Sequence, residues 1–300
     1  MSVDSELQYY IRAGKIAREA LQFASELVNM KKHISIYELC EKVEKFIIDS
    51  GGKPAFPCNI SINNVAAHYT SISPDDGNLP DHGIVKIDVG VHIDGYIADT
   101  AISIPLSKEY SDIVEVNKEI LDCIIEKFRP GVKLGEIGSL VSKMAKQHGY
   151  KTISNLTGHL ISRYSLHAGK HVPNVPQIIS PRIEIGEIYA IEPFLTFQNG
   201  SGRVIDLPDI RIYSLIRIKK IKDENVEKIR KYIHENFDKL PFAPRWLYNK
   251  FGQNIIEKLE YMRQKGVLRG YPVLVEERGA YVSQFEHTVV VLKDETIVVT

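Results

Sequence analysis

The chain has 300 residues, enough for one large domain or two modest ones with a substantial core. Its 38 basic and 38 acidic residues cancel to a formal net charge of +0, so the basic excess of a nucleic-acid binder is missing and no specific nucleic-acid partner is expected. With 44% apolar and 25% charged residues the composition is globular rather than disordered or fibrous, and no apolar run approaches the ~18 residues that suggest a membrane span.

The first ten residues carry Asp4 and Glu6 ahead of an amphipathic pattern. They lack the basic start and apolar centre of a signal peptide. Cys40, Cys58 and Cys123 are odd in number and widely spaced, with no CxxC pattern, which reads as reduced thiols in a cytoplasm.

Residues 9–30 read as a helix with an apolar stripe of Ile11, Ile16, Ala20, Phe23, Leu27 and Val28. A second helix, 36–49, is stopped by Gly51-Gly52. Residues 56–68 are mixed strand and loop. Residues 83–91 and 96–104 read as two strands joined at Ile93-Asp94-Gly95, and helices recur over 111–128 and 134–148. After 188–197 the chain becomes lysine-rich. From about 198 to 269 it reads as helices with short connections, one over 223–237 and one or two over 246–265, forming an inserted subdomain. Strand patterns return at 273–276, 280–292 and 296–299.

Residues 34–51 resemble 132–149. Glu38, Val43, Lys45 and Gly51 match Glu136, Val141, Lys143 and Gly149, and Ile34, Ile36, Leu39 and Phe46 fall on apolar partners. Chance agreement between amphipathic helices is one reading. The other is a pair of α/β halves related by a pseudo-twofold axis, with a site between them that draws ligands from both.

Asp88 interrupts a strand whose other face, Val85, Ile87, Val89 and Val91, is wholly apolar. It therefore points away from that core, beside Gly90, which leaves open space. In the next strand Asp99 has small neighbours on its face, Ala101 and Ser103. A turn at Ile93-Asp94 puts Asp88 opposite Asp99, whereas a turn at Asp94-Gly95 puts Asp99 opposite Gly90. Either register leaves the acids on one face, about 5–8 Å apart. Bare carboxylates so close repel until one protonates, and a divalent cation removes that penalty.

The remaining candidates are weaker on pattern alone. His159 and His167 form no standard local zinc motif, and spacing alone favours a structural role for them. Glu192 closes an apolar run before Pro193, and Glu286 sits within the run 282–291. Each is costly if buried unpaired, or bland if it faces solvent.

Taken together, Asp88-Val-Gly-Val-His-Ile-Asp-Gly-Tyr-Ile-Ala-Asp99, Gly158-His159, Ala190-Ile191-Glu192-Pro193 and Gln284-Phe285-Glu286-His287-Thr288 resemble the ordered metal-ligand motifs of the pita-bread metallohydrolases. The runs 66–70 (AAHYT), 166–170 (LHAGK) and 241–247 (PFAPRWL) narrow the resemblance to the type 2 methionine aminopeptidases, in the short archaeal form that lacks a polybasic extension.

That resemblance implies an α/β (α+β) pita-bread fold. Two pseudo-twofold-related halves would share a curved antiparallel sheet, with a catalytic domain over 1–197 and 270–300 and an inserted helical subdomain over 198–269. It implies two divalent metal ions, cobalt, manganese, iron or zinc. Asp88 would hold one ion, His159 and Glu192 the other, and Asp99 and Glu286 would bridge. His68 and His167 would be the catalytic, substrate-orienting histidines. Phe56, Leu166, Phe194, Tyr271 and Ala243 would lie near a methionine pocket.

The implied activity is removal of the initiator methionine from nascent proteins whose second residue is small, by a metal-activated water. The chain's own start, Met1-Ser2, is such a sequence. Nascent N-termini and a transient ribosome contact are the expected partners, for a cytoplasmic monomer. The competing expectations are a proline-specific peptidase of the same fold, whose relatives carry a further domain before the catalytic part, and a non-catalytic pita-bread module that binds protein or RNA.

Overall fold

The structure is a computed structural model that describes residues 3–31 and 33–300. Met1-Ser2 lies outside the described residues. The first half runs α1 (Val3–Met30), α2 (Ile36–Asp49), β1 (Lys53–Ile62), β2 (Val65–Ala67), β3 (Ile84–Ile93) and β4 (Tyr96–Pro105). The sheet order is β1-β3-β4, antiparallel throughout. Val85, Ile87, Val89 and Val91 of β3 all enter the core beneath α1 and α2, as the alternation predicts.

The seam of α1 is smaller than its sequence stripe implies. Ala13, Ala17, Ala20 and Ala24 are fully buried, while Ile11 is 37% exposed. Spacings of three and four residues put these alanines in one row, and their short side chains let the helix approach the sheet closely. Phe23 stacks on Phe46 of α2 instead, with ring centroids 5.0 Å apart.

The second half repeats the plan. It runs α3 (Ser111–Lys127), α4 (Leu134–Gln147), β5 (Tyr150–Thr152), β6 (Thr157–Ile161), β7 (His171–Pro173), β8 (Ile188–Ile191) and β9 (Phe194–Phe197). The internal resemblance is structural. Ile36, Leu39, Val43 and Ile47 are buried in α2, and Leu134, Ile137, Val141 and Ala145 are buried at the equivalent positions of α4. Each helix is followed by a glycine of positive φ, Gly51 at 83° and Gly149 at 79°, where a side chain would be strained.

After β9 the chain forms β10 (Val204–Leu215), α5 (Glu224–Phe237), α6 (Tyr248–Phe251), α7 (Ile255–Gln264) and β11 (Leu268–Glu276). The expected run of helices thus begins with a 12-residue strand, paired antiparallel with β11. Its middle, Asp206 to Asp209, is exposed or only partly buried and includes Pro208, which hides the strand alternation from a reading of the sequence. Residues from this segment build a core of their own around Tyr213, Ile229, Ile233, Phe242, Leu247 and Leu259. Strands β12 (Val282–Gln284), β13 (His287–Val291) and β14 (Thr296–Val298) then return to the second half, in the orders β12-β9-β5 and β14-β13-β8-β6-β7.

Arg245 ties the segment between β9 and β12 to the first half. Its guanidinium is fully buried and donates to Glu41 Oε1 at 3.0 Å, Thr70 Oγ1 at 2.9 Å, the Ser71 carbonyl at 2.9 Å, and Glu44. Glu44 also accepts from the Trp246 indole at 2.7 Å and from the Cys58 amide at 2.9 Å. Burial raises the Glu44 carboxyl above its usual range, and the Arg245 charge opposes that rise.

Removing Arg245 strands a buried carboxylate. Arg245→Met is therefore expected to cost about 3–5 kcal/mol in urea unfolding. Glu38→Ala, which only releases Lys31 and Lys42 at the surface, should leave the midpoint nearly unchanged. Equal stability of Arg245→Met and its parent would show that this cluster does not secure the segment.

Candidate metal centre

The hairpin of β3 and β4 sets the first two acids. Asp94 and Gly95 occupy the turn with φ of 52° and 85°, and Ile93 faces Tyr96. Positive φ at both central residues matches the right-handed twist of the strands and fixes the register. Asp99 therefore lies opposite Gly90 and diagonal to Asp88, the second of the two alternatives open from sequence. The space at Gly90 is not open. A Cβ there would fall 2.2 Å from the Phe56 ring, so the glycine seats that ring against the strand.

The other half is stitched to this hairpin by backbone. Ala101 and Glu286 exchange hydrogen bonds, with the Glu286 amide donating at 3.0 Å and the Ala101 amide at 3.3 Å. The Thr288 hydroxyl accepts from the Asp99 amide and donates to the Asp99 carbonyl, both at 2.7 Å. His159 sits on β6 opposite Ala190, and Glu192 directly follows β8. These ladders bring Asp88, Asp99, His159, Glu192 and Glu286 to one place, from four separated parts of the chain.

His159 Nε2 lies 3.6 Å from Asp99 Oδ2 and 3.6 Å from Glu192 Oε1. Asp99, His159 and Glu286 each offer a ligand atom within 4.8 Å of the others. Gln284 Nε2 donates to Asp88 Oδ2 at 3.4 Å and to Glu192 Oε2 at 3.5 Å, spanning the two acids. Gln284 opens the 284–288 motif, yet alternation along β12 gives no sign that its amide reaches the acids.

The electrostatics fit divalent cations. Burial pushes Asp88 up to about 7, against the weaker pull of Gln284. Asp99 is raised well above its usual range by burial, then by the charges of Asp88 and Glu192. Glu192 is raised by burial and Asp88, and Glu286 by burial, Asp99, Glu192 and Asp88. Burial drives His159 the other way, well below the usual imidazole range, so it is neutral and can ligate. Asp88 Oδ1, Asp99 Oδ1 and His159 Nδ1 are buried without a hydrogen-bond partner. Acidic oxygens that repel one another and lack donors are what a positive ion satisfies.

The acids line a cavity of about 230 Å³ that also holds Phe56, Leu166, Phe194, Tyr271, His68 and His167. Ala243 is fully buried and does not line it; Pro241 does. Ile212 of β10 lines it too, unforeseen because its strand was read as helix. His68 has a left-handed backbone, φ 63°, and its Nδ1 lies 3.1 Å from the Pro272 carbonyl oxygen. That oxygen can only accept, so the neutral ring carries its proton on Nδ1 and leaves Nε2 as an acceptor. His167 packs on His159 with ring centroids 4.2 Å apart, and burial lowers it to about 4.

The profile of metallopeptidase family M24 matches residues 8–293. The chain belongs to that family. It is 43% identical to the methionine aminopeptidase of Saccharolobus solfataricus over 99% of this chain and 98% of that one. In structure it is similar to a thermophilic Arx1, with a TM-score of 0.88 at 19% identity over 100% of this chain and 91% of the other. The methionine aminopeptidase of Thermotoga maritima superposes with a TM-score of 0.70 at 19% identity, covering 99% and 96%. The architecture is the pita-bread fold, and the chain is an enzyme, a metalloaminopeptidase.

The raised carboxyls make a pH prediction for the M24 chain freed of metal by a chelator. A carboxyl whose folded pKa exceeds its unfolded value of ~4 favours folding below that value and loses the contribution as pH rises. Their contribution to the melting temperature should therefore fall between pH ~4 and the value of about 7 at Asp88, against the opposite pull of buried neutral histidines such as His92 and His167, both lowered to about 4. Added divalent cation should restore it most at the upper end. A metal-free protein equally stable at both ends, and indifferent to added cation, would contradict the assignment.

Proposed function

We propose that this enzyme removes the N-terminal methionine from new proteins whose second residue is small. The observation that carries the reading is the shape of the cavity. The acids and His159 gather on one part of its wall, and Phe56, Leu166, Phe194, Ile212 and Tyr271 supply an apolar surface beside His68 and His167, within about 230 Å³. A space that small accepts one apolar side chain and ends there, so the bond presented to the acids is the first of the peptide.

In this reading Asp88 would hold one divalent ion and His159 and Glu192 a second, with Asp99 and Glu286 shared between them. Oxygen-rich ligation with one imidazole suits manganese, iron, cobalt or zinc. Bound there, such ions supply the charge that acidifies water and polarises a carbonyl.

The chain's own residues do the rest. With two divalent ions held there the charge of the four carboxylates would be offset, and this part of the cavity would take a free α-amine in its uncharged form, which an internal segment lacks. The apolar wall excludes water around the thioether and fixes the first residue, so the scissile carbonyl is held in one orientation. His68 is neutral, with Nδ1–H tied to Pro272, so its Nε2 accepts a hydrogen bond from the scissile amide. His167 is also neutral above about 4 and serves to hold or pass a proton at the leaving amine. The three free cysteines accord with a reducing cytoplasm.

Two experiments test this. Met-Ala-Ser should be hydrolysed and Met-Lys-Ser should resist, while N-acetylation should abolish cleavage; efficient cutting of internal bonds would refute the reading. His68→Ala and His167→Ala should each keep the parent's metal content but lose about 10²–10³ in kcat, with a smaller change in KM. Metal loss in either variant would make that histidine a ligand instead.

A further inference from the structure

Behind the metal-facing cavity lies a second one of about 580 Å³, and Pro241 lines both. Its walls come from α2, the paired strands β1 and β3, and the segment from α5 to Trp246. The activity derived above uses none of the polar groups that face it.

His92 of β3 lines this cavity and is 8% exposed. Its Nδ1 accepts from the Gly95 amide at 3.1 Å, so the neutral ring carries its proton on Nε2. That N–H has no partner among the described residues. Lys53 is the cross-strand partner of His92 and lines the same cavity. The neighbouring Lys45 is paired with Asp49, whereas Lys53 has no carboxylate partner among the described residues. An unpartnered, solvent-accessible donor and an unpaired cation on adjacent strands make a receptor for a carboxylate.

The other walls narrow the class. Glu41 lines the cavity with Oε1 held by Arg245 and Oε2 free of hydrogen bonds among the described residues. Asp49 lies on the same rim. A bare anion would meet repulsion from these acids, and a zwitterion would not. Phe237 and Trp246, with ring centroids 5.5 Å apart, and Leu240 give an apolar surface for a side chain.

We propose that this cavity binds a free α-amino acid with a large apolar side chain. Its carboxylate lies toward Lys53 and the Nε2–H of His92, its ammonium toward Glu41, and its side chain on Phe237 and Trp246. The site is separate from the metal centre and does not depend on the reaction catalysed there.

Trp246 is the single tryptophan of the chain, so its emission reports on this cavity. Titration of the metal-loaded protein with L-methionine should give a saturable change in emission. Methioninol lacks the carboxylate and N-acetylmethionine the ammonium; each should bind at least about tenfold more weakly. Lys53→Met should weaken L-methionine by about tenfold or more and leave peptide turnover without added amino acid unchanged. His92→Gln, which also presents an N–H, should bind better than His92→Phe. The absence of a saturable change at millimolar L-methionine would overturn the proposal. So would equal binding by Lys53→Met, or by methioninol.

Discussion

The organising constraint of this molecule is the crowding of Asp88, Asp99, Glu192 and Glu286 in its interior. Each is raised by burial, and three of them further by the charges of the others. Folding does not choose such a cluster for its own sake. The backbone forces it, because the Ala101–Glu286 bridge and the Thr288 clamp on Asp99 close the two halves on each other there. The free energy for bringing like charges together comes from the apolar cores on either side, beneath α1 and α2 and beneath α3 and α4. A cation then recovers what the crowding costs.

The duplicated plan explains why the site is where it is. Each half supplies a helix pair and antiparallel strands, and at the seam between them strands from both present side chains to a common space. The halves are not equivalent in what they present. The first contributes carboxylates on a hairpin with a fixed register, and the second contributes His159 and Glu192 from adjacent strands. The first half also makes room, since Gly90 lets Phe56 lie flat where any other residue would collide.

Local periodicity carried much of this into the sequence. The alternation of β3 showed Asp88 facing away from the first core, and the strands placed both acids on one face before the register was known. The turn decided that register through backbone dihedrals at Asp94 and Gly95, which spacing cannot distinguish. His159, Glu192 and Glu286 were not legible as a set, because their meeting depends on pairings between segments far apart in sequence; the family resemblance, not pattern, pointed to them. Strand β10 was missed because its exposed middle carries Asp206, Pro208 and Asp209, and with it Ile212 of the cavity wall. The gap at Gly90 was filled by a ring whose approach no local rule foretells.

The chain buries acids in three ways, and the contrast separates structure from chemistry. Glu44 is satisfied by Arg245, Trp246 and the Cys58 amide. Glu276 is satisfied by amides: burial pushes it up, but hydrogen bonds from Ser201, Ala280 and Arg278 bring it below the usual carboxylate range. Both are closed, with their charge matched by the protein itself. The acids at the seam receive little beyond one shared amide from Gln284, at 3.4 and 3.5 Å, and Asp88 Oδ1 and Asp99 Oδ1 have no donor at all. A fold that can neutralise a buried carboxylate with an arginine or with a full set of its own amides, and at the seam supplies no arginine and few amides, leaves the missing positive charge to something that binds there.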